Sequence, residues 1–197
     1  MLLICSAWQN ELKALPAMPN MQQETLGIGY LEAALSLEKI LEANPEIEEV
    51  IFLATAGAYK QDLEIGDLVS VKSVALLNPG VIENQAYVPK EYEEFEAKQN
   101  SKLTRGLTEV KCLSSLEITK DEKFSQTLVD HYSAKLALVE NMELYGVAKV
   151  CASRDLPWSA ILGISNYTNT NAHKDWQANE AKLVTKFVGL PSWKLLR

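Results

Sequence analysis

Short apolar runs alternate along this chain with segments whose apolar residues recur at helical spacing. Residues 2–7 form an almost continuous apolar run, the pattern of a central strand covered on both faces. Residues 49–54 and 159–165 read the same way, and residues 67–74 are β-rich with weaker alternation. Residues 109–113 and 137–139 are short candidate strands, and residues 24–29 read as a short strand entering a tight turn. Between them, residues 30–43, 121–132, 143–153 and 179–188 read as helices. On the first, Leu31, Ala34, Leu35, Ile40 and Leu41 mark an apolar face, and Asn44-Pro45 is a stop signal. A short helical stretch at 11–15 is cut off by Pro16 and Pro19. The polar, acidic stretch 77–104 reads as a long connection with one helix at 91–98. No repeat, low-complexity tract or linker interrupts the alternation. The pattern predicts a single α/β domain over 1–197, with helices on both faces of a sheet and sites where strand ends open into loops.

Composition narrows the function classes. A formal net charge of -7 argues against a general nucleic-acid binder, which needs a basic surface to neutralise phosphates. No apolar run approaches the roughly 20 residues that span a bilayer, so no membrane partner is expected. The start of the chain reads as a buried strand rather than a signal peptide. Cys5, Cys112 and Cys151 are far apart, odd in number and set among apolar residues, as expected of reduced core thiols in a cytoplasmic protein. No Cys/His cluster has metal-ligand spacing, and His131 and His173 are distant from each other, so no metal site is expected.

Two segments carry candidate chemistry. Val139-Glu140-Asn141-Met142-Glu143 puts an acidic side chain at the start of a helix. Gly163-Ile164-Ser165-Asn166-Tyr167 ends a buried strand on an amide. Together they offer a carboxylate for sugar hydroxyls and an Asn for a heterocyclic base. Each has a bland alternative: Glu143 as a first-turn carboxylate favoured by the helix dipole, and Asn166 as a turn residue. Gly27-Ile28-Gly29 precedes a helix and could hold an anion or water through its amides, or could simply be a tight turn. Arg105, Arg154 and Arg197 fall on no glycine-rich motif, so a phosphate site has little support.

Ala7 with Glu11, Leu26-Gly27-Ile28-Gly29, Thr55-Ala56-Gly57, Ile65-Gly66-Asp67-Leu68-Val69, Val139-Glu140-Asn141-Met142-Glu143 and Ile164-Ser165-Asn166 follow one another in this order. In this the chain resembles the nucleoside phosphorylase and nucleosidase superfamily. That superfamily includes purine nucleoside phosphorylases, methylthioadenosine/S-adenosylhomocysteine nucleosidases and futalosine hydrolases. The Glu-Asn-Met-Glu and Ile-Ser-Asn-Tyr forms look most like futalosine hydrolases. The resemblance implies a three-layer α/β/α domain with a mixed central sheet and cleavage of a nucleoside's N-glycosidic bond. It implies that Glu143 holds the ribose hydroxyls, with Met142 under the sugar, and that Glu11 orients water. Asn141, Thr55, Gly57, Ile118 and Ser165 are further substrate-binding candidates. Adenine-selective members carry Asp where this chain has Asn166. A neutral amide can donate to a 6-carbonyl and accept from a protonated N7, which points to a 6-oxopurine. The alternatives are a purine nucleoside phosphorylase, which would also take phosphate, a methylthioadenosine-type nucleosidase, and a non-catalytic nucleoside-binding relative. By the same resemblance a homo-oligomer is expected, a dimer above all, and no metal or organic cofactor is implied. The stretch 171–176 reads either as a lid over the base or as a surface loop anchored by Trp176. Tyr59 and Tyr92 are stacking candidates. Leu162 stands where many nucleosidases have Arg.

Overall fold

The computed structural model describes residues 1–60, 62–88, 93–98, 102–132, 135–190 and 193. Among the described residues, eight strands form one mixed sheet. The fully apolar runs become its centre. β1 (Leu2–Ser6), β3 (Glu49–Ala58) and β8 (Trp158–Tyr167) pair in parallel, with β2 (Met21–Thr25) outside β1. β8 continues into β4 (Leu68–Leu76) as an antiparallel neighbour. From there β6 (Thr108–Ser114) and β7 (Ala137–Glu140) follow in parallel, and the two-residue β5 (Phe95–Glu96) lies on the outer side of β4. β7 then returns to β3 through Gly57↔Glu140 and Ala58↔Val139. The path β3-β8-β4-β6-β7-β3 therefore closes on itself, and the closing pairs sit at the end of β3.

Helices cover both faces. α2 (Tyr30–Ala43) and α5 (Leu144–Ser153) pack over the larger core, where Phe52, Leu37, Leu144 and Val147 are fully buried. α6 (Ala172–Val188) covers the opposite face through Leu183 and Phe187, next to the short α1 (Gln9–Leu12). α4 (Glu122–Tyr132) buries Leu128 against Leu113, Leu138 and Tyr59, and α3 (Pro79–Ile82) lies in the connection before β5. Gly146 of α5 lets the two helices touch, since a Cβ there would lie only 1.9 Å from the Tyr30 carbonyl oxygen.

Several expectations need correction. The buried stripe of α2 is Ala33, Leu37 and Leu41, while Leu31 and Leu35 face outward. A helix at 91–98 is not formed over the described part. Phe95 and Glu96 pair with Val74 and Ser73, and the Phe95 ring packs 5.3 Å from that of Tyr145. Residues 91 and 92 of that expectation, Tyr92 among them, lie outside the described residues. β3 runs to Ala58 rather than stopping at Ala54, because its last residues gain partners in β7 and β8. The stretch 171–176 is helical rather than a loop, with Trp176 as its anchor. Helix α6 begins at Ala172, seven residues before the expected start.

Candidate active site

The parallel strands deliver their ends to one cavity of about 360 Å³, lined by 20 of the described residues, from both halves of the chain. It is built where β3 loses regular register. Ala56 pairs with Ile164, but Gly57 pairs with Asn166, leaving Ser165 as the extra residue of a bulge. Such bulges re-aim side chains next to sites. Here the bulge leaves Ser165 Oγ 3.2 Å from the Ala56 carbonyl and 2.7 Å from Asn166 Oδ1. Asn166 Nδ2 donates to the Tyr167 carbonyl (3.1 Å). Turning the amide over would set Oδ1 against that carbonyl, so the orientation is held. One amide hydrogen and one oxygen lone pair remain for a ligand.

Glu143 precedes α5, yet its carboxylate does not cap the helix. Asn141 does that work: its Oδ1 accepts from the N–H groups of Glu143 (3.0 Å) and Leu144 (2.9 Å). Asn141 Nδ2 also donates to the Thr55 carbonyl (3.1 Å), so Asn141 lines the cavity with its amide committed to backbone partners. The Glu143 carboxylate is thereby free to turn inward, where Oε1 accepts from Gly29 N–H (2.9 Å). Burial raises its pKa above the ordinary carboxylate value, opposed by the Gly29 and Asn141 hydrogen bonds.

Glu11 is 4% exposed on the first turn after β1. Its two oxygens accept from Thr55 N–H (3.0 Å) and Trp8 N–H (3.2 Å). Burial pushes its pKa up to about 8; the nearby Glu143 and Glu180 carboxylates push the same way, and the two backbone donors push down. Trp176, from the first turns of α6, donates through Nε1 to Thr55 Oγ1 (3.1 Å), and its ring stacks on His173 at 5.7 Å. Asn179 Nδ2 donates to the Ser165 carbonyl (3.2 Å). These two bonds fasten α6 to the strand ends.

The structure thus brings Glu11, Thr55, Gly57, Ile118, Asn141, Met142, Glu143, Ser165 and Asn166 to one cavity. It does not do so for Gly27 and Gly29. Gly29 N–H is engaged by Glu143, and Gly27 N–H donates to the Ala7 carbonyl (3.2 Å). A ligand brought to Gly29 N–H would meet the Glu143 carboxylate there. Gly29 sits at φ 88°, a conformation that favours glycine. Tyr59 is buried behind the cavity rather than lining it. Glu140, Trp8, Ile28 and Glu180 also line the cavity and were not singled out from the sequence. Glu140 had a legible signal: a charge ending the apolar run 137–139. Among the described residues, five glutamates and no Lys or Arg line the cavity.

A mixed sheet covered by helices, with its strand ends opening on a carboxylate-lined cavity, defines an α/β protein whose ligand site lies at the strand ends. The chain matches the phosphorylase superfamily over residues 22–190 and belongs to that family. A mutant futalosine hydrolase of Helicobacter pylori shares its fold, with 18% identity, a TM-score of 0.81, and 96% of this chain and 95% of that chain covered. A mutant Helicobacter pylori MTAN (5'-methylthioadenosine/S-adenosylhomocysteine nucleosidase), with 5'-methylthioadenosine in its active site, gives 18% identity and a TM-score of 0.78 over 95% and 96% of the two chains. The nucleosidase of Streptococcus pneumoniae, with a transition-state inhibitor, gives 18% and 0.78 over 100% and 99%. Comparison with curated proteins gives no match.

Proposed function

We propose that this protein hydrolyses the N-glycosidic bond of a purine nucleoside, releasing a 6-oxopurine. The observation that carries the reading is one cavity holding the buried Glu11 and Glu143 carboxylates and the oriented Asn166 amide, with no cation lining it among the described residues. Glu143 accepts from the 2' and 3' hydroxyls, and these charge-assisted bonds strengthen as the sugar becomes oxocarbenium-like. Glu11 takes a proton from a water attacking C1' as the C1'–N9 bond breaks, and the electron pair leaves with the base. Asn166 donates to O6 of the departing purine, whose N7 takes a proton from solvent, and accepts from that N7–H. Adenine would need the amide turned over, against the Tyr167 carbonyl.

Among the described residues, five carboxylates and no Lys or Arg line the cavity, a poor phosphate site, which supports water over phosphate as the acceptor. The same charge pattern favours a substrate without an anionic group near the ribose. Thr55, Gly57 and Ser165 line the base side, and Met142 lies beside Glu143. The domain is one unit over 1–197, and it works in the cytoplasm as a dimer. Ile28 and Ile118 line the cavity and, like Leu31, Leu35 and Leu116, are large, apolar and half-exposed or more, residues suited to an isologous contact.

The test is base release from inosine, futalosine and methylthioadenosine, with and without phosphate. Phosphate-independent hypoxanthine release is expected. Strict phosphate dependence would replace the reading by phosphorolysis, and adenine release alone would overturn the base assignment. Sedimentation is expected to give a dimer, and Leu31→Glu a monomer.

A further inference from the structure

Outside the cavity, the first turn of α5 meets a cluster of rings that leads back to the inward-turned carboxylate. Tyr145 stands two residues after Glu143, at the start of α5, and is buried. Its ring meets that of Tyr30 edge-on at 6.3 Å and that of Phe95 at 5.3 Å. Tyr30 opens α2 directly after Gly29, whose N–H holds Glu143 Oε1, and the Tyr30 carbonyl packs on Gly146. Rings from β5, α5 and α2 therefore join where the two helices begin.

β5 is too short to hold this place by strand pairing alone. It pairs only through Phe95 with Val74 and Glu96 with Ser73, and Ala97 N–H donates to the Lys72 carbonyl (2.8 Å). Side chains fasten it to α5 as well. Lys149 Nζ donates to Glu93 (2.8 Å) and lies 5.4 Å from the centre of the Phe95 ring. Lys98 reaches Asp155, just past the end of the same helix, at 3.0 Å. Exposed pairs of this kind add little to overall stability. Their direction is informative, because both run from the β5 segment to the helix that follows Glu143.

Truncating a large packed ring leaves a hole that its neighbours fill only in part. At Phe95 that neighbour is Tyr145, with Tyr30 behind it. A shift of Tyr145 moves the first turn of α5 against the first turn of α2. Those turns carry the two ends of the Gly29–Glu143 hydrogen bond, which weakens steeply as its geometry departs from linear. A misplaced carboxylate in turn costs rate, even when the change lies far from the chemistry.

We propose that Phe95 is a positioning residue for Glu143, holding the Gly29–Glu143 contact in place through Tyr145 and Tyr30. Phe95 does not line the cavity, so it acts without touching a ligand there. The consequence for ribose rests on the glycosidase reading; the contact itself does not.

The test follows amide hydrogen exchange at Gly29 by NMR in the full chain, with Ala33 as the internal reference. Ala33 N–H donates to the Gly29 carbonyl (3.0 Å) and reports the first turn of α2 without Glu143. Phe95→Ala is expected to speed exchange at Gly29 about tenfold relative to Ala33. Phe95→Tyr, which keeps the ring, should restore it. Lys149→Ala removes an exposed cation from β5 and should give a smaller change in the same direction, which keeps the test available if Phe95→Ala does not fold. Base release is read beside it, at a temperature where each variant is folded. The preference for inosine over 2'-deoxyinosine should narrow by about three- to tenfold in Phe95→Ala. A merely structural loss scales both rates equally and leaves that ratio unmoved. Unchanged exchange at Gly29, Gly29 and Ala33 accelerating together, or an unchanged preference would overturn the assignment. Selective exchange at Gly29 with no base release from any nucleoside removes the glycosidase reading and leaves the Glu143 contact standing. Base release with an unmoved Gly29 does the reverse.

Discussion

The same side chain does two different jobs in this molecule. Inside the cavity, Glu11, Glu140 and Glu143 are buried, hold backbone N–H or hydroxyl donors, and have raised pKa values. On the surface, glutamates sit beside cations. Arg154 forks onto Glu38 through Nε (3.1 Å) and Nη2 (2.6 Å), and Lys111 reaches Glu94 at 2.6 Å. The Arg154 hydrogen bond holds Glu38 below the ordinary carboxylate value, and the Lys111 and Ser73 hydrogen bonds do the same for Glu94 against its partial burial. Water and a cation make a carboxylate an inert anion. Burial without a cation makes it a group whose proton can move near neutral pH, the condition for acid–base work.

The largest expected effect comes from the inner set. Glu11→Gln should lower kcat for base release by about 10²- to 10⁴-fold, the usual contribution of a positioned base. The wild-type rate should climb with pH towards about 8, because the base acts only when ionised and burial holds it protonated below that value. A pH–rate profile in which Glu11→Gln keeps the same rising limb would remove Glu11 from that role. Glu143→Gln should lower kcat/KM by about 10- to 100-fold, the worth of a charge-assisted hydrogen bond of about 1.5–3 kcal/mol. It should also narrow the preference for inosine over 2'-deoxyinosine; an unchanged preference would detach Glu143 from the ribose.

Gly57→Ala tests the gap between the inner groups. Its methyl would meet Asn166 Nδ2 at 2.9 Å and Glu140 Cγ at 3.1 Å. A cost of about 1–3 kcal/mol in stability is expected, with a loss of hypoxanthine binding that thermal and binding titrations would separate. The two sets of carboxylates should also differ in how they respond to pH. Glu11 and Glu140 are protonated in the folded protein up to about pH 8 and 7, and ionise near the ordinary value once unfolded. Their stabilising effect is full in acid and is lost as pH rises through those values, so the melting temperature should fall by several degrees from pH 5 to pH 8. Glu38→Ala, on the outer set, should leave catalysis unchanged and move the melting temperature by only about a degree, less still at high salt. A loss of activity there would dissolve the distinction between the two sets.

Much of the frame was readable from residue order because it depends on local chemistry. Helix α2 spans Tyr30–Ala43 as expected, since Gly29 and Asn44-Pro45 act within a few residues. The apolar runs of β1, β3 and β8 leave few other options. The carboxylate before α5 and the amide at the end of β8 could be picked out because each is polar at the edge of an apolar element. Other features were hidden. The first turns of α6 carry no apolar stripe; they are held by Trp176 on Thr55 and Asn179 on Ser165, partners more than 100 residues and 14 residues away. The face of α2 was misassigned because Leu31 and Leu35 also recur at helical spacing. Which stripe turns inward depends on α5, whose Gly146 admits the Tyr30 carbonyl.

By itself, the order of residues determined the alternation of strands and helices, the family, and the presence of a helix-start carboxylate and a strand-end amide. Those properties arise from hydrophobic period, stop signals and motif spacing, all carried by neighbouring residues. Only the tertiary structure decided that β7 closes onto β3 at Gly57, and hence that Glu140 stands across that glycine from Asn166. It also decided that Asn141 caps α5 so that Glu143 turns inward, and that Gly29 N–H donates to Glu143. Each of these depends on which strands become neighbours and on which groups lose water when they do. Burial, not residue type, separates the three inner glutamates from the outer ones, and burial is a property of the whole fold.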